Sequence, residues 1–155
     1  ADVGPVILCC TPDCNHPAFT DLMTRHGILL VNQGQGDLGA RMDRAITAGL
    51  QAHHGAIVIG TDCPALGVDQ LRQAAQVLET GRVVFVPAAD GGYVLAGLDR
   101  PMPELFVAVD WSTEKVMAQT RERLARMDVT AIELPTLHDI DLPVDLIYVP
   151  REWLT

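Results

Sequence analysis

The sequence predicts an α/β fold in which helices cover both faces of a mostly parallel β-sheet. Apolar, β-branched runs alternate with helical patterns along the whole chain, which is typical of parallel strands joined by helical crossovers. The chain has 155 residues and is 48% hydrophobic, enough for one buried core and too short for two domains. We therefore expect a three-layer α/β/α sandwich, with residues 1–155 forming a single domain.

Six apolar runs are predicted strands. The run GPVILCC at 4–10 is short and continuous, as expected for a buried strand, and RVVFVPA at 82–88 has the same character. The run at 92–98 follows a glycine pair, so we expect that strand to lie at a different angle. The remaining predicted strands are at 28–32, 56–60 and 129–135.

Four helices are predicted between these strands, because apolar residues recur there at helical spacing. Gly27 is expected to end the first helix and Gly81 the third. Ser112 is expected to cap the fourth, with Glu114 in its first turn. The four apolar stripes are Phe19, Leu22, Met23 and His26; Leu38, Met42, Ala45, Ile46 and Leu50; Val68, Leu71, Ala75 and Leu78; and Val116, Thr120, Leu124 and Met127.

Charge and cysteine content exclude several classes of function. The net charge is −9, which argues against nucleic-acid binding because phosphate backbones recruit clustered cations. No apolar run approaches the ~20 residues of a membrane span, and no basic flank precedes an apolar segment at the start. The four cysteines lack zinc-finger spacing and are interpreted as reduced thiols. These observations predict a cytoplasmic protein that binds neither nucleic acid nor membranes.

Acidic residues follow three of the predicted strands, where ligands of such sheets bind. Asp62 lies two residues before Pro64, and it suits a divalent cation, the cap of a helix starting near Leu66 or an Asx turn. Asp90, Gly91 and Gly92 suit either a ligand contact or a hairpin turn. The segment HDIDLPVDL at 138–146 gathers Asp139, Asp141 and Asp145, which would repel one another unless they are solvated, cap a helix or share a cation. Asp141 before Leu142 and Pro143 also resembles a helix cap.

Two further residues are candidates for substrate contacts. Arg41 lies in QGQGDLGARM at 33–42, a glycine-rich loop that matches neither common phosphate-binding signature. It is interpreted either as a phosphate contact or as a solvent-facing arginine. Trp111 is interpreted either as a sugar-stacking platform or as a core residue.

Five motifs in linear order carry a family resemblance. These are QGQGDLGARM, IVIGTDCPAL, VPAADGGYVLAGL, DWSTEKV and LHDIDLPVDL, which span residues 33 to 146. In this order they resemble uncharacterised bacterial proteins of the nucleotide-diphospho-sugar transferase superfamily, which have the glycosyltransferase A-like fold. The GTDCP and DID segments also resemble those of the molybdenum-cofactor and phospholactate nucleotidylyltransferases.

The resemblance implies a site at the strand ends. It implies Mg²⁺ or Mn²⁺ bound by Asp62, with Asp141 near the same ion. It also implies that Asp90 lines the acceptor side, where it would position a hydroxyl group or act as a base. The substrate contacts expected from the motifs together are Gly91, Gly92, Tyr93, Trp111 and Arg41.

The chain departs from the family pattern in two respects. It has only Asp62 where such glycosyltransferases usually have an acidic pair. The family pattern also begins with a strand and a basic nucleotide-binding loop, a unit of roughly forty residues, whereas this chain is expected to begin at the family's second strand. We expect an exposed sheet edge that a homodimer would cover. Three functions stay open: a metal-dependent glycosyltransferase with a nucleotide-diphospho-sugar donor, a nucleotidylyltransferase, and a noncatalytic binding module.

Overall fold

The computed structural model describes residues 2–153, and six strands and four α-helices lie within them. The strands are β1 (Ile7–Cys10), β2 (Leu29–Asn32), β3 (Ala56–Ile59), β4 (Val83–Pro87), β5 (Tyr93–Leu98) and β6 (Ala131–Glu133). The α-helices are α1 (Pro17–His26), α2 (Leu38–Leu50), α3 (Val68–Glu79) and α4 (Val116–Arg126). Short 3₁₀ helices span Pro103–Leu105, Pro143–Tyr148 and Arg151–Trp153.

The strands form two sheets. β1 and β2 are a parallel pair, and the other four strands are ordered β3-β5-β4-β6. β5 is antiparallel to β3 and β4, whereas β4 and β6 are parallel. The strands β3, β4 and β6 therefore run in one direction, and their carboxyl ends share one edge of the sheet. The predicted α/β fold class is confirmed, and the strand that follows the glycine pair is the one that runs against the others.

Helices cover both faces of the four-stranded sheet. Side chains alternate along β4, so Phe85 packs with α2 and α4 on one face while Val86 packs toward α3 on the other. Both are fully buried. The continuous apolar run of β4 places apolar side chains on both faces of the sheet, so helices must cover both faces, and three layers result.

β1 differs from its prediction. Its run was expected to be a buried strand, but Val6 is 59% exposed and Ile7 is 45% exposed, so that expectation is wrong. Among the described strands, β1 pairs only with β2 and β2 only with β1. Burial depends on what packs against a strand, which the strand's own residues do not specify.

Helix ends follow the sequence in some places only. Gly27 ends α1 in the left-handed conformation that glycine favours, and Asp37 caps α2 by accepting from Ala40 N at 2.9 Å. Ser112 does not cap α4, because that helix begins at Val116 after Lys115. No helix within residues 2–153 is both long enough and apolar enough to cross a membrane.

Candidate metal centre

Backbone hydrogen bonds join three loops at the carboxyl edge of the four-stranded sheet. The segment after β6 continues alongside the end of β4, where Leu137 N donates to Pro87 O at 3.0 Å. It then reaches the loop after β3, where Ile140 N donates to Asp62 O at 2.9 Å. The parallel strand directions bring these chain segments to one place although they are far apart in sequence.

Three carboxylates converge there. One oxygen each from Asp90, Asp139 and Asp141 lies within 4.8 Å of the others. Asp139 is half-buried, whereas Asp90 and Asp141 are exposed. Oxygen-only donors suit hard cations such as Mg²⁺, Mn²⁺ or Ca²⁺, which take several further ligands from water or substrate phosphates.

The electrostatics of the cluster are unfavourable without a cation. Burial raises the pKa of the Asp139 carboxyl, and the negative charges of Asp90, Asp141 and Asp62 raise that pKa further, against a backbone hydrogen bond that lowers it. None of the ion pairs between described residues includes these four carboxylates. A bound divalent cation would reverse this repulsion, so the donor set fits such an ion.

The structure removes two alternative interpretations of the acidic residues. α3 begins at Val68 with Gly67 as its N-cap, so Asp62 does not cap it. Asp141 does not cap the 3₁₀ helix at 143–148, whose N-cap is Leu142. Asp62 is exposed at the end of β3 and lies beside the cluster through its backbone contact with Ile140.

Asp90 serves the hairpin turn as well as the cluster. Its Oδ1 accepts from Gly92 N at 2.9 Å in the turn between β4 and β5. Gly91 has φ +96°, and a Cβ there would approach the Glu114 Cα to 2.6 Å. The turn therefore requires glycine at position 91, and it leaves one carboxylate oxygen of Asp90 free of this hydrogen bond.

The aromatic and basic candidates lie in protein contacts. Tyr93 packs edge-on against Phe85, with ring centroids 5.2 Å apart, and burial raises the pKa of its phenol. Trp111 packs against Tyr93 at 6.5 Å, and its Nε1 is buried without a hydrogen-bond partner among the described residues. Arg41 is turned toward its own loop, where its guanidinium donates to Gly36 O at 3.0 Å.

The structure distinguishes the roles of Asp139 and Asp145, which the sequence left open. Asp139 belongs to the carboxylate cluster, and Asp145 holds the neighbouring loop. The Oδ2 atom of Asp145 accepts from Asp141 N at 3.2 Å and from Leu142 N at 2.8 Å, which fixes the loop that carries Asp141. Side chains two residues apart in an extended segment lie on the same face. The spacing of Asp139 and Asp141 was therefore the sequence signal that both belong to one site.

The fold is that of the nucleotide-diphospho-sugar transferases. The chain superimposes, with a TM-score of 0.83 and 25% sequence identity, on a crystal structure from Desulfovibrio desulfuricans G20. That protein is provisionally described as a nucleotide-diphospho-sugar transferase. The match covers 92% of this chain and 64% of that chain, so this chain spans less than two thirds of its neighbour's length.

The chain belongs to DUF2064, a family of uncharacterised proteins conserved in bacteria, whose model matches residues 1–113. A comparison with curated proteins finds no match. The family match ends before the DID segment, whereas the structural match extends over most of the chain.

Proposed function

We propose that residues 1–155 act as a single transferase-like domain, a metal-dependent glycosyltransferase with a nucleotide-diphospho-sugar donor. The observation that carries the proposal is the convergence of three carboxylates at the carboxyl edge of the sheet. The fold likeness adds the class of donor. A divalent cation supplies charge neutralisation for a leaving diphosphate.

In this proposal some residues bind the cation and others contact the substrate. Asp139 and Asp141 hold the cation together with Asp90, and Asp62 adds negative charge beside them as a further ligand. Asp90 also lies in the turn that carries Gly91 and Gly92, so its second role is to position an acceptor hydroxyl or accept its proton. The substrate contacts proposed beyond the cluster are Gly91, Gly92, Tyr93, Trp111 and Arg41.

Calorimetry with a panel of nucleotide sugars, with and without Mn²⁺, tests this function. We expect at least one nucleotide sugar to bind only when Mn²⁺ is present, and Asp62→Asn to weaken that binding. Absence of binding by every nucleotide sugar at millimolar concentration would refute the proposal and favour a noncatalytic module. Pyrophosphate release from a nucleoside triphosphate would instead identify a nucleotidylyltransferase.

We also propose a homodimer in the cytoplasm. Exposed apolar residues on β1 and on the edge strand β3, such as Ile7 and Ile59 at 45% each, fit a surface that a second copy covers. All four cysteines are free, as expected in a reducing compartment. Light scattering during size-exclusion chromatography tests the assembly, and a monomeric mass at micromolar concentration would refute it.

A further inference from the structure

Two cysteines meet at one side chain at the carboxyl end of β1. Cys10 ends β1 and is in register with Asn32 of β2. Cys14, in the loop that follows, donates from Sγ to Asn32 Oδ1 at 3.0 Å. Paired residues of neighbouring strands project from the same face of a sheet, so the Cys10 side chain also lies beside Asn32.

The two thiols have different surroundings. Cys10 is only 2% exposed, whereas Cys14 is half-buried. The pKa of the Cys10 thiol is raised to about 11, chiefly by burial and to a smaller extent by its contact with the Cys14 thiol and by the charges of Cys14, Cys9 and Asp13. Cys14 is therefore the thiol that an external reagent reaches first.

We propose that Cys10 and Cys14 are a redox-sensitive thiol pair that closes to an intramolecular disulfide on exchange with a low-molecular-weight disulfide such as oxidised glutathione. The pair is a modification site separate from the carboxylate cluster, and it does not depend on the proposed transferase function.

The exchange balances in two steps. The Cys14 thiolate attacks one sulfur of the external disulfide, whose S–S bond breaks to release one glutathione thiolate. Cys10 then loses its proton and its thiolate attacks the Cys14 sulfur, releasing the second glutathione thiolate. Two cysteine thiols are oxidised, one external disulfide is reduced to two thiols, and the two protons end on those thiols.

The fold selects this pair over the other cysteines. Cys9 is adjacent to Cys10 on β1, so its side chain points to the opposite face of the strand. Cys63 lies at the four-stranded sheet, where its Sγ donates to His138 O at 3.3 Å. Only three residues separate Cys10 from Cys14, so the second step has a high effective concentration and outpaces attack by another glutathione.

The bridge would lie next to the glycine-rich loop. Gln33 N donates to Cys10 O at 2.8 Å, and Gln33 Nε2 donates to Cys9 O at 3.1 Å. The Gln33 side chain also accepts from Arg41 at 3.2 Å. Closing the bridge breaks the hydrogen bond from Cys14 Sγ to Asn32 Oδ1. Asn32 directly precedes Gln33, so oxidation removes a contact at the end of β2, where the glycine-rich loop begins.

The test is mass spectrometry of the full chain before and after incubation with oxidised glutathione near pH 8. We expect a product lighter than the reduced protein by about 2 Da, the mass of two hydrogen atoms, with two alkylatable thiols instead of four. Cleavage on the amino side of Asp13 separates Cys10 from Cys14, so the two peptides stay joined until dithiothreitol is added.

Matched variants assign the pair. We expect C10S to lose the bridge and to keep a glutathione adduct on Cys14, C14S to lose both the bridge and that adduct, and C9S and C63S to form the bridge like the unmodified protein. In guanidinium the strand unfolds and no longer holds Cys9 and Cys10 on opposite faces. We therefore expect either cysteine to form the disulfide with Cys14 under that condition. Glutathione adducts without a bridge, or a bridge that persists in C10S, would overturn the proposal. C14S changes a less buried residue, so it remains informative if C10S fails to fold.

Discussion

Neutralising Asp139 should stabilise the metal-free protein while weakening its cation binding. The change Asp139→Asn keeps the size of the side chain and removes the charge that faces both Asp90 and Asp141. Because burial and those neighbouring charges already raise the pKa of Asp139, the carboxylate is held in a place that disfavours it. The two effects have opposite signs, which few nonspecific effects of a mutation would produce.

The magnitude follows from the cluster geometry. Two unit charges separated by the 4.8 Å limit repel by about 0.9 kcal/mol in a water-like dielectric, the appropriate choice because Asp90 and Asp141 are exposed. Salt at ~0.15 M reduces each interaction to roughly half, so relief from two neighbours sums to about 1 kcal/mol. For a chain of this size that corresponds to a rise in Tm of about 2–4 °C.

The assay is thermal unfolding in chelator, paired with Mn²⁺ titration by calorimetry. We expect Asp139→Asn to raise Tm without metal and to weaken Mn²⁺ binding about ten-fold or more, since affinity for hard cations depends on the count of charged ligands. Asp128→Asn is the matched control. It removes the same charge from an exposed residue outside the cluster, at φ 53°, a conformation that asparagine tolerates.

Two results would refute the reasoning. A lower Tm for Asp139→Asn in chelator would show that its carboxylate stabilises the fold instead of opposing it. Equal Mn²⁺ affinity for the Asp139 and Asp128 variants would show that the cluster does not bind the ion.

Three further predictions concern stability, each measured by denaturant unfolding. Ile46→Ala, at 1% exposure, should cost about 2–5 kcal/mol, whereas Ile7→Ala, at 45% exposure, should cost less than about 1 kcal/mol; equal costs would contradict the assigned core. Gly91→Ala should cost about 1–3 kcal/mol, since its φ of +96° and its close backbone neighbour both oppose a Cβ; an unchanged midpoint would contradict this. The Arg121 hydrogen bond lowers the pKa of Glu133, so their ion pair stabilises the fold above the ordinary value of 4.5 and the contribution is lost as pH falls through the lowered pKa. Glu133→Gln should therefore cost up to about 1 kcal/mol at neutral pH and nothing at pH values below the lowered pKa, and a cost that persists there would exclude the ion pair as its cause.

Periodicity was a sufficient guide to the elements of this fold. The stripe that includes Met42 and Ile46 predicted α2, and both residues are buried in the core. Gly27 predicted the end of α1, because the left-handed conformation there favours glycine whatever the surroundings. Ser112 failed as a predictor, since a cap depends on where the preceding loop enters the helix, and Ser112 itself has φ 60°.

The candidate site could be predicted in part. The acidic strand ends were recognised because parallel sheets place ligands at their carboxyl edge. The choice among the acidic residues depended on distances, and these brought Asp139 into the cluster with Asp90 and Asp141. Tyr93 and Trp111 pack against the core, which sequence could not separate from exposed stacking because an aromatic side chain suits both.

The sequence by itself determined the succession of strands and helices along the chain and the acidic character of the strand ends, because these depend on residues close together in the chain. The tertiary structure decided which faces are buried, which carboxylates meet, and that Cys10 rather than Cys9 lies beside Asn32 with Cys14. Those outcomes depend on strand pairing and direction, which arise from contacts between distant segments. An apolar run such as β1 specifies a strand, but only its neighbours determine whether that strand is covered.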